Sequence, residues 1–96
     1  MENKESKIEI EVGSEVVGGK YSNLAVISHN ENEFIMDFIF AHPPKGKVNA
    51  RVIMSPSHAK QFLKALKENV EKYEQKTGDT KKPPEPPAIG IEFSKN

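Results

Sequence analysis

The spacing of apolar residues changes after Met54, and that change restricts the folds this chain can adopt. Between Tyr21 and Met54 apolar side chains come in short runs separated by polar or proline-rich turns. From Ala59 to Tyr73 they fall at 59, 62, 63, 66, 70 and 73. A period of two belongs to strands, and a spacing of three or four residues belongs to one face of a helix. The junction is Ser55-Pro56. A serine there caps the first turn, and proline suits the first helical position because its missing N–H has no partner to lose. Ser57 is an alternative cap. Strands followed by one helix give an α+β fold with hairpin connections and an antiparallel sheet.

Four segments read as strands. Residues 7–12 (KIEIEV) alternate Ile8, Ile10 and Val12 with Glu9 and Glu11. Residues 21–29 (YSNLAVISH), 33–41 (EFIMDFIFA) and 48–54 (VNARVIM) follow, with a glycine-rich loop at 13–20 and turns at 30–32 and around Pro43, Pro44 and Gly46. Gly78 stands where a helix C′ glycine is expected. Residues 81–87 (KKPPEPP) form a proline-rich, extended linker. Residues 88–93 (AIGIEF) alternate again, as a fifth edge strand or a tail docking on a neighbouring subunit. The expected architecture is thus a four- to five-stranded antiparallel sheet in β-β-β-β-α order, with the C-terminal helix packed on one face. Residues 1–6 are expected to be disordered, 7–78 to form one domain, and 79–96 to be linker and tail.

Closing the hairpins at His29/Glu33 and Phe40/Val48 sorts the side chains onto two faces. One carries Leu24, Val26, Ser28, Phe34, Met36, Phe38, Phe40, Val48, Ala50, Val52 and Met54, and is the expected seat for the helix stripe. The other carries Ile27, Ile35 and Ile53 in one row, Ile39 near Ala25, and Asp37 opposite Arg51 as a cross-strand ion pair. An isoleucine row with one paired charge resembles a covered surface, so Ile27, Ile35, Ile39 and Ile53 are the expected interface of a homo-oligomer, a dimer first. The other possibility is that β-branched residues simply suit exposed strands.

The chain has 96 residues, one domain's length, with 14 basic and 14 acidic residues and zero formal net charge. Zero net charge lacks the basic excess usual in nucleic-acid binders and favours association. The absence of cysteine excludes disulfides, thiolate metal sites and a cysteine nucleophile. There is no signal-like apolar run at the start and no run of the roughly 20 apolar residues that would span a bilayer. A cytoplasmic address without membrane contact is expected.

Lys60, Lys64 and Lys67 share a second stripe of the helix, and with Lys45, Lys47 and Arg51 they could form an anion or nucleic-acid patch, against the ordinary alternative of a solvated helix face. His29, His42 and His58 have no partners at ligand spacing, so no metal or other cofactor is expected. Ser55 and Ser57 beside His58 read as caps, with no acid to orient a triad. No catalytic residue is assigned, and the chain is expected not to be an enzyme.

The residues Tyr21-Ser22-Asn23, Glu33-Phe34, Asp37-Phe38, Arg51-Val52-Ile53, Ser55-Pro56 and His58-Ala59-Lys60 form a recurring set, continued by Leu63, Ala65-Leu66, Asn69, Tyr73-Glu74 and Gly78. Through them the chain resembles a bacterial and archaeal family, domain of unknown function 3467. The resemblance implies no activity and no catalytic residues. In architecture, strands followed by one helix also resemble the SecB-type export chaperones and the dimeric single-stranded nucleic-acid binders. The expected function is a non-enzymatic, homo-oligomeric adaptor or chaperone-like module with a protein or peptide client. The alternative is a single-stranded nucleic-acid-binding protein.

Overall fold

In the computed structural model, residues 6–84 and 90–94 are described. Three strands, β1 (Leu24–His29), β2 (Phe34–His42) and β3 (Lys45–Met54), precede one helix, α1 (Pro56–Thr77). The strands pair antiparallel in the order β1-β2-β3. The central strand β2 is rich in phenylalanine and isoleucine, types that fit a pleated surface. The chain divides after Lys60 into two compact units.

Two short connections set the register. At the first, Asn30 accepts from the backbone N–H groups of Asn32 and Glu33 through its side-chain oxygen, at 2.8 and 2.9 Å, and donates its own N–H to the Glu33 carbonyl. This closes a two-residue loop, Glu31-Asn32, and pairs His29 with Phe34. The expected closure paired His29 with Glu33 around three residues. The difference of one residue turns every β1 side chain to the opposite face. The second connection is Pro43-Pro44, joined by a cis peptide bond, so Phe40 faces Lys47 rather than Val48. A register shift between Phe38 and Ile39 leaves Asn49 as an extra residue on β3. Beyond it, toward Met54, the ladder returns to the expected pairing.

The faces are therefore regrouped. An aromatic face carries Ala25, Ile27 and His29 with Phe34, Met36, Phe38 and Phe40, and with Ala50, Val52 and Met54. The ion-pair face carries Leu24, Val26 and Ser28 with Ile35, Asp37 and Ile39, and with Arg51 and Ile53. Among the described residues, the buried apolar residues are Met36 and Ile39, on opposite faces of β2, and Ala59.

The first expected strand is corrected. Residues 7–12 make no regular strand, and Ile8, Ile10 and Val12 stand exposed. Alternation shows which side chains want burial, not where a ladder partner is found. A turn follows, with Val16 and Val17 donating to the Gly13 carbonyl and Gly19 in the left-handed region at φ 74°. Of the expected C-terminal strand, Ala88 and Ile89 lie outside the described residues, as do 1–5 of the N-terminal segment and 85–87 of the linker. Residues 90–94 form no strand, with Ile91 and Phe93 exposed.

Helix α1 begins where its capping chemistry lies. Ser55 Oγ accepts the His58 N–H at 3.1 Å, and the Ser55 carbonyl accepts the Ala59 N–H. At the other end Gly78, at φ 73°, donates to the Glu74 carbonyl at 2.7 Å. Along the apolar stripe Ala59 is buried and Phe62 half-buried, while Leu63, Leu66, Val70 and Tyr73 are 67, 50, 46 and 54% exposed. Periodicity establishes that a stripe exists; it does not say which chain covers it. No described helix is long and apolar enough to cross a membrane.

Candidate functional site

At the middle of the ion-pair face, Asp37 faces Arg51 across the β2–β3 ladder. Arg51 Nε donates to Asp37 Oδ1 at 2.6 Å and Nη2 donates to Oδ2 at 2.9 Å, a two-pronged bond in which both carboxylate oxygens are engaged. Asp37 is only 5% exposed, while the Arg51 side chain remains 58% exposed. The guanidinium hydrogen bond holds the Asp37 carboxyl below its ordinary range, against the opposing effect of desolvation. The same bond raises Arg51. A carboxylate held ionised and fully paired makes a poor proton acceptor, and the pair ties β2 to β3.

The pair sits in a row with Val26, between the rows Leu24–Ile39–Val48 and Ser28–Ile35–Ile53. Ile35, Ile39 and Ile53 thus share the ion-pair face as expected, with Ile35 directly opposite Ile53. Ile27 does not join them. It pairs with Met36 on the aromatic face, 58% exposed, and Ser28 takes its place in the row. Ile39 is buried, whereas Ile53 is 53% exposed.

A polar network at the start of β1 had no counterpart in the sequence reading. Asn23 replaces a stretch of ladder with its side chain: Nδ2 donates to the Ala41 carbonyl at 2.9 Å, and Oδ1 accepts the Ala41 N–H at 2.8 Å. Ser22 Oγ donates to the Ile39 carbonyl, and Asn49, the extra residue of β3, donates through Nδ2 to the Tyr21 carbonyl at 2.8 Å. Tyr21-Ser22-Asn23 is thereby tied to both β2 and β3. The available signal was an asparagine and a serine inside a strand-like run, where they are poor strand formers.

Lys45 and Lys47 line a shallow depression of about 290 Å³ together with Phe40, His42 and Gly46. Phe40 meets the Tyr21 ring edge-on, with centroids 5.9 Å apart, and both rings are exposed, by 43 and 74%. Lys60, Lys64 and Lys67 stand exposed along α1. Each histidine has a local role: His29 stacks on Phe34 at 5.2 Å, His42 Nδ1 lies 3.3 Å from the Pro43 carbonyl, and the His58 backbone joins the helix cap. Among the described residues no group of three or more His, Asp or Glu is placed to hold a metal ion.

These features define a small α+β domain: the sheet carries apolar side chains on both faces and one paired charge, and the helix carries an apolar stripe of its own. The chain belongs to the family described as a protein of unknown function (DUF3467), which matches residues 1–82. The match takes in the exposed segment 7–12 as well as the sheet and the helix. No curated protein and no solved structure matches the chain.

Proposed function

We propose that this chain is a non-enzymatic interaction module that works as a homo-oligomer, a dimer first, and presents apolar surface to a protein or peptide client in the manner of an adaptor or a SecB-like chaperone. The observation that carries the reading is α1. It is 22 residues long, capped at both ends, and leaves Leu63, Leu66, Val70 and Tyr73 about half or more exposed in one stripe. Helices in water owe most of their stability to packing of such a face, so the stripe calls for a partner surface. The exposed Ile27, Val52 and Ile53 extend the same demand to both sheet faces. The further strand expected at 7–12 belongs to this assembled state, where a ladder partner becomes available.

Two linked assays test the proposal. Light scattering reads the native mass. Fluorescence anisotropy of a labelled, permanently unfolded carboxymethylated protein reads client capture. The expected result is a dimer or larger that binds the unfolded chain at micromolar concentration. An oligomer that leaves the anisotropy flat sinks the chaperone-like role, and a monomer sinks the oligomer.

One observation favours a second reading, a single-stranded nucleic-acid binder. Tyr21 and Phe40 expose ring surface beside Lys45 and Lys47, and stacking platforms next to cations are what such binders use. A shift of a labelled oligonucleotide that weakens with added salt supports it, and no shift at low salt ends it.

A further inference from the structure

Among the described residues, exposed apolar side chains occur on the α1 stripe, on the sheet, in the segment 7–12, in the turn after it and at Ile91 and Phe93. The segment carries the most specific information. Its side chains alternate strictly, with Ile8, Ile10 and Val12 exposed by 79, 84 and 64%, and Glu9 and Glu11 between them. An isolated extended segment with this pattern gains nothing from its alternation. Along a sheet edge it gains a hydrogen-bonded ladder and one buried face.

The sheet has two edges, β1 and β3. On β1 the charged or titratable residue is His29, at its end. On β3, Lys45 and Lys47 are two residues apart, the same spacing as Glu9 and Glu11, and both are exposed. Directly opposed charges on neighbouring strands attract, and like charges repel. Laid antiparallel with Glu9 opposite Lys47, the segment brings Glu11 opposite Lys45 and Ile8 opposite Val48, which is 37% exposed. Ile10 then falls opposite Gly46, where no side chain obstructs it. A Cβ at Gly46 would meet Ile39 Cγ2 and Ala41 Cβ at 3.6 Å, so the Ile10 side chain lies over buried apolar carbon. Charge, alternation and the glycine notch agree in this one register.

We infer that residues 7–12 of one copy form a fourth strand along the β3 edge of a second copy, with Glu9 and Glu11 paired to Lys47 and Lys45. The inference rests on the homo-oligomer proposed above and specifies its contact. The occupant is a second copy because the segment of the same chain stands free of β3 in the structure, without a strand partner. Reciprocal exchange of the two segments closes a two-fold dimer and covers each β3 edge over its Lys45-to-Val48 half.

The chain contains no cysteine, so an engineered pair reports without background. Glu9→Cys and Lys47→Cys are made on separate chains, mixed and oxidised, and the disulfide is located by peptide mapping. A bond joining the two positions between chains is expected, while Ile8→Cys mixed with Lys47→Cys, which faces the wrong side, stays unlinked. The same two substitutions made together on one chain test the other route. A bond formed only within that chain means that the segment completes its own sheet, and overturns the inference. A second arm measures dimerisation by sedimentation. Glu9→Lys/Glu11→Lys is expected to weaken it at least roughly fivefold, with recovery on adding Lys45→Glu/Lys47→Glu. A wild-type dimer that neither cross-links nor responds to charge reversal overturns this contact and leaves the oligomer standing. A wild-type monomer overturns both.

Discussion

Leu66→Ala isolates the role of the helix stripe. Leu66 lies within the stripe of α1 and is 50% exposed. Burying a leucine fully stabilises by about 1.5–3 kcal/mol, so covering the remaining half is worth about 0.8–1.5 kcal/mol in each copy. A two-fold interface uses the residue twice, which makes the loss about 1.5–3 kcal/mol, or roughly 10- to 150-fold in the dimer dissociation constant. Alanine keeps the alkyl stub and is the strongest helix former, so α1 itself is not weakened by the change. Sedimentation equilibrium across a concentration series measures the constant, and far-ultraviolet circular dichroism confirms that the helix persists. A constant within twofold of wild type would refute the reasoning. So would a loss of helical signal at concentrations where the variant is still dimeric, because Leu66 would then be holding the fold of one chain and not joining two.

Three further outcomes follow from the local geometry. Asp37→Asn removes the charge that pairs with Arg51 and lowers the urea midpoint at neutral pH. Because the folded carboxyl lies below its unfolded value of about 3.9, its contribution is full above that pH and is lost as pH falls through the folded value, so the gap to wild type closes on acidification; a gap that stays constant down to about pH 2 contradicts the pairing. Ser55→Ala removes the acceptor for the His58 N–H and costs about 0.5–2 kcal/mol, read as a lower melting temperature without change in native mass. Gly78→Ala forces a side chain into φ 73° and costs about 1–2 kcal/mol, read by loss of amide protection in the last turn of α1.

The helix was legible because its signals are local. Ser55, Pro56 and Gly78 act within one turn of where they stand, and the structure uses Ser55 and Gly78 as caps and starts the helix at Pro56. The Asp37–Arg51 pair was legible for a less secure reason. The turn at Pro43-Pro44 is tighter than expected, and the extra residue Asn49 restores the register before Arg51 is reached. No such compensation exists in the first hairpin, where the Asn30 side chain settles the loop at two residues and carries Ile27 to the aromatic face. That choice turns on one hydrogen-bonded side chain and is invisible to hydrophobic alternation. The Asn23–Ala41 bonds join residues 18 apart, so they too lie beyond local pattern. Segment 7–12 and the α1 stripe share a different difficulty. Their sequences show which side chains favour burial but not which surface would cover them.

Native mass reports whether the exposed stripe and the segment 7–12 have partners in solution. Light scattering on the eluting wild-type protein, from micromolar to hundreds of micromolar, is predicted to give about twice the 10.7 kDa chain mass or a higher multiple, and a lower mass for Leu66→Ala at the same concentration. A wild-type chain that remains at 10.7 kDa throughout that range would contradict the central claim.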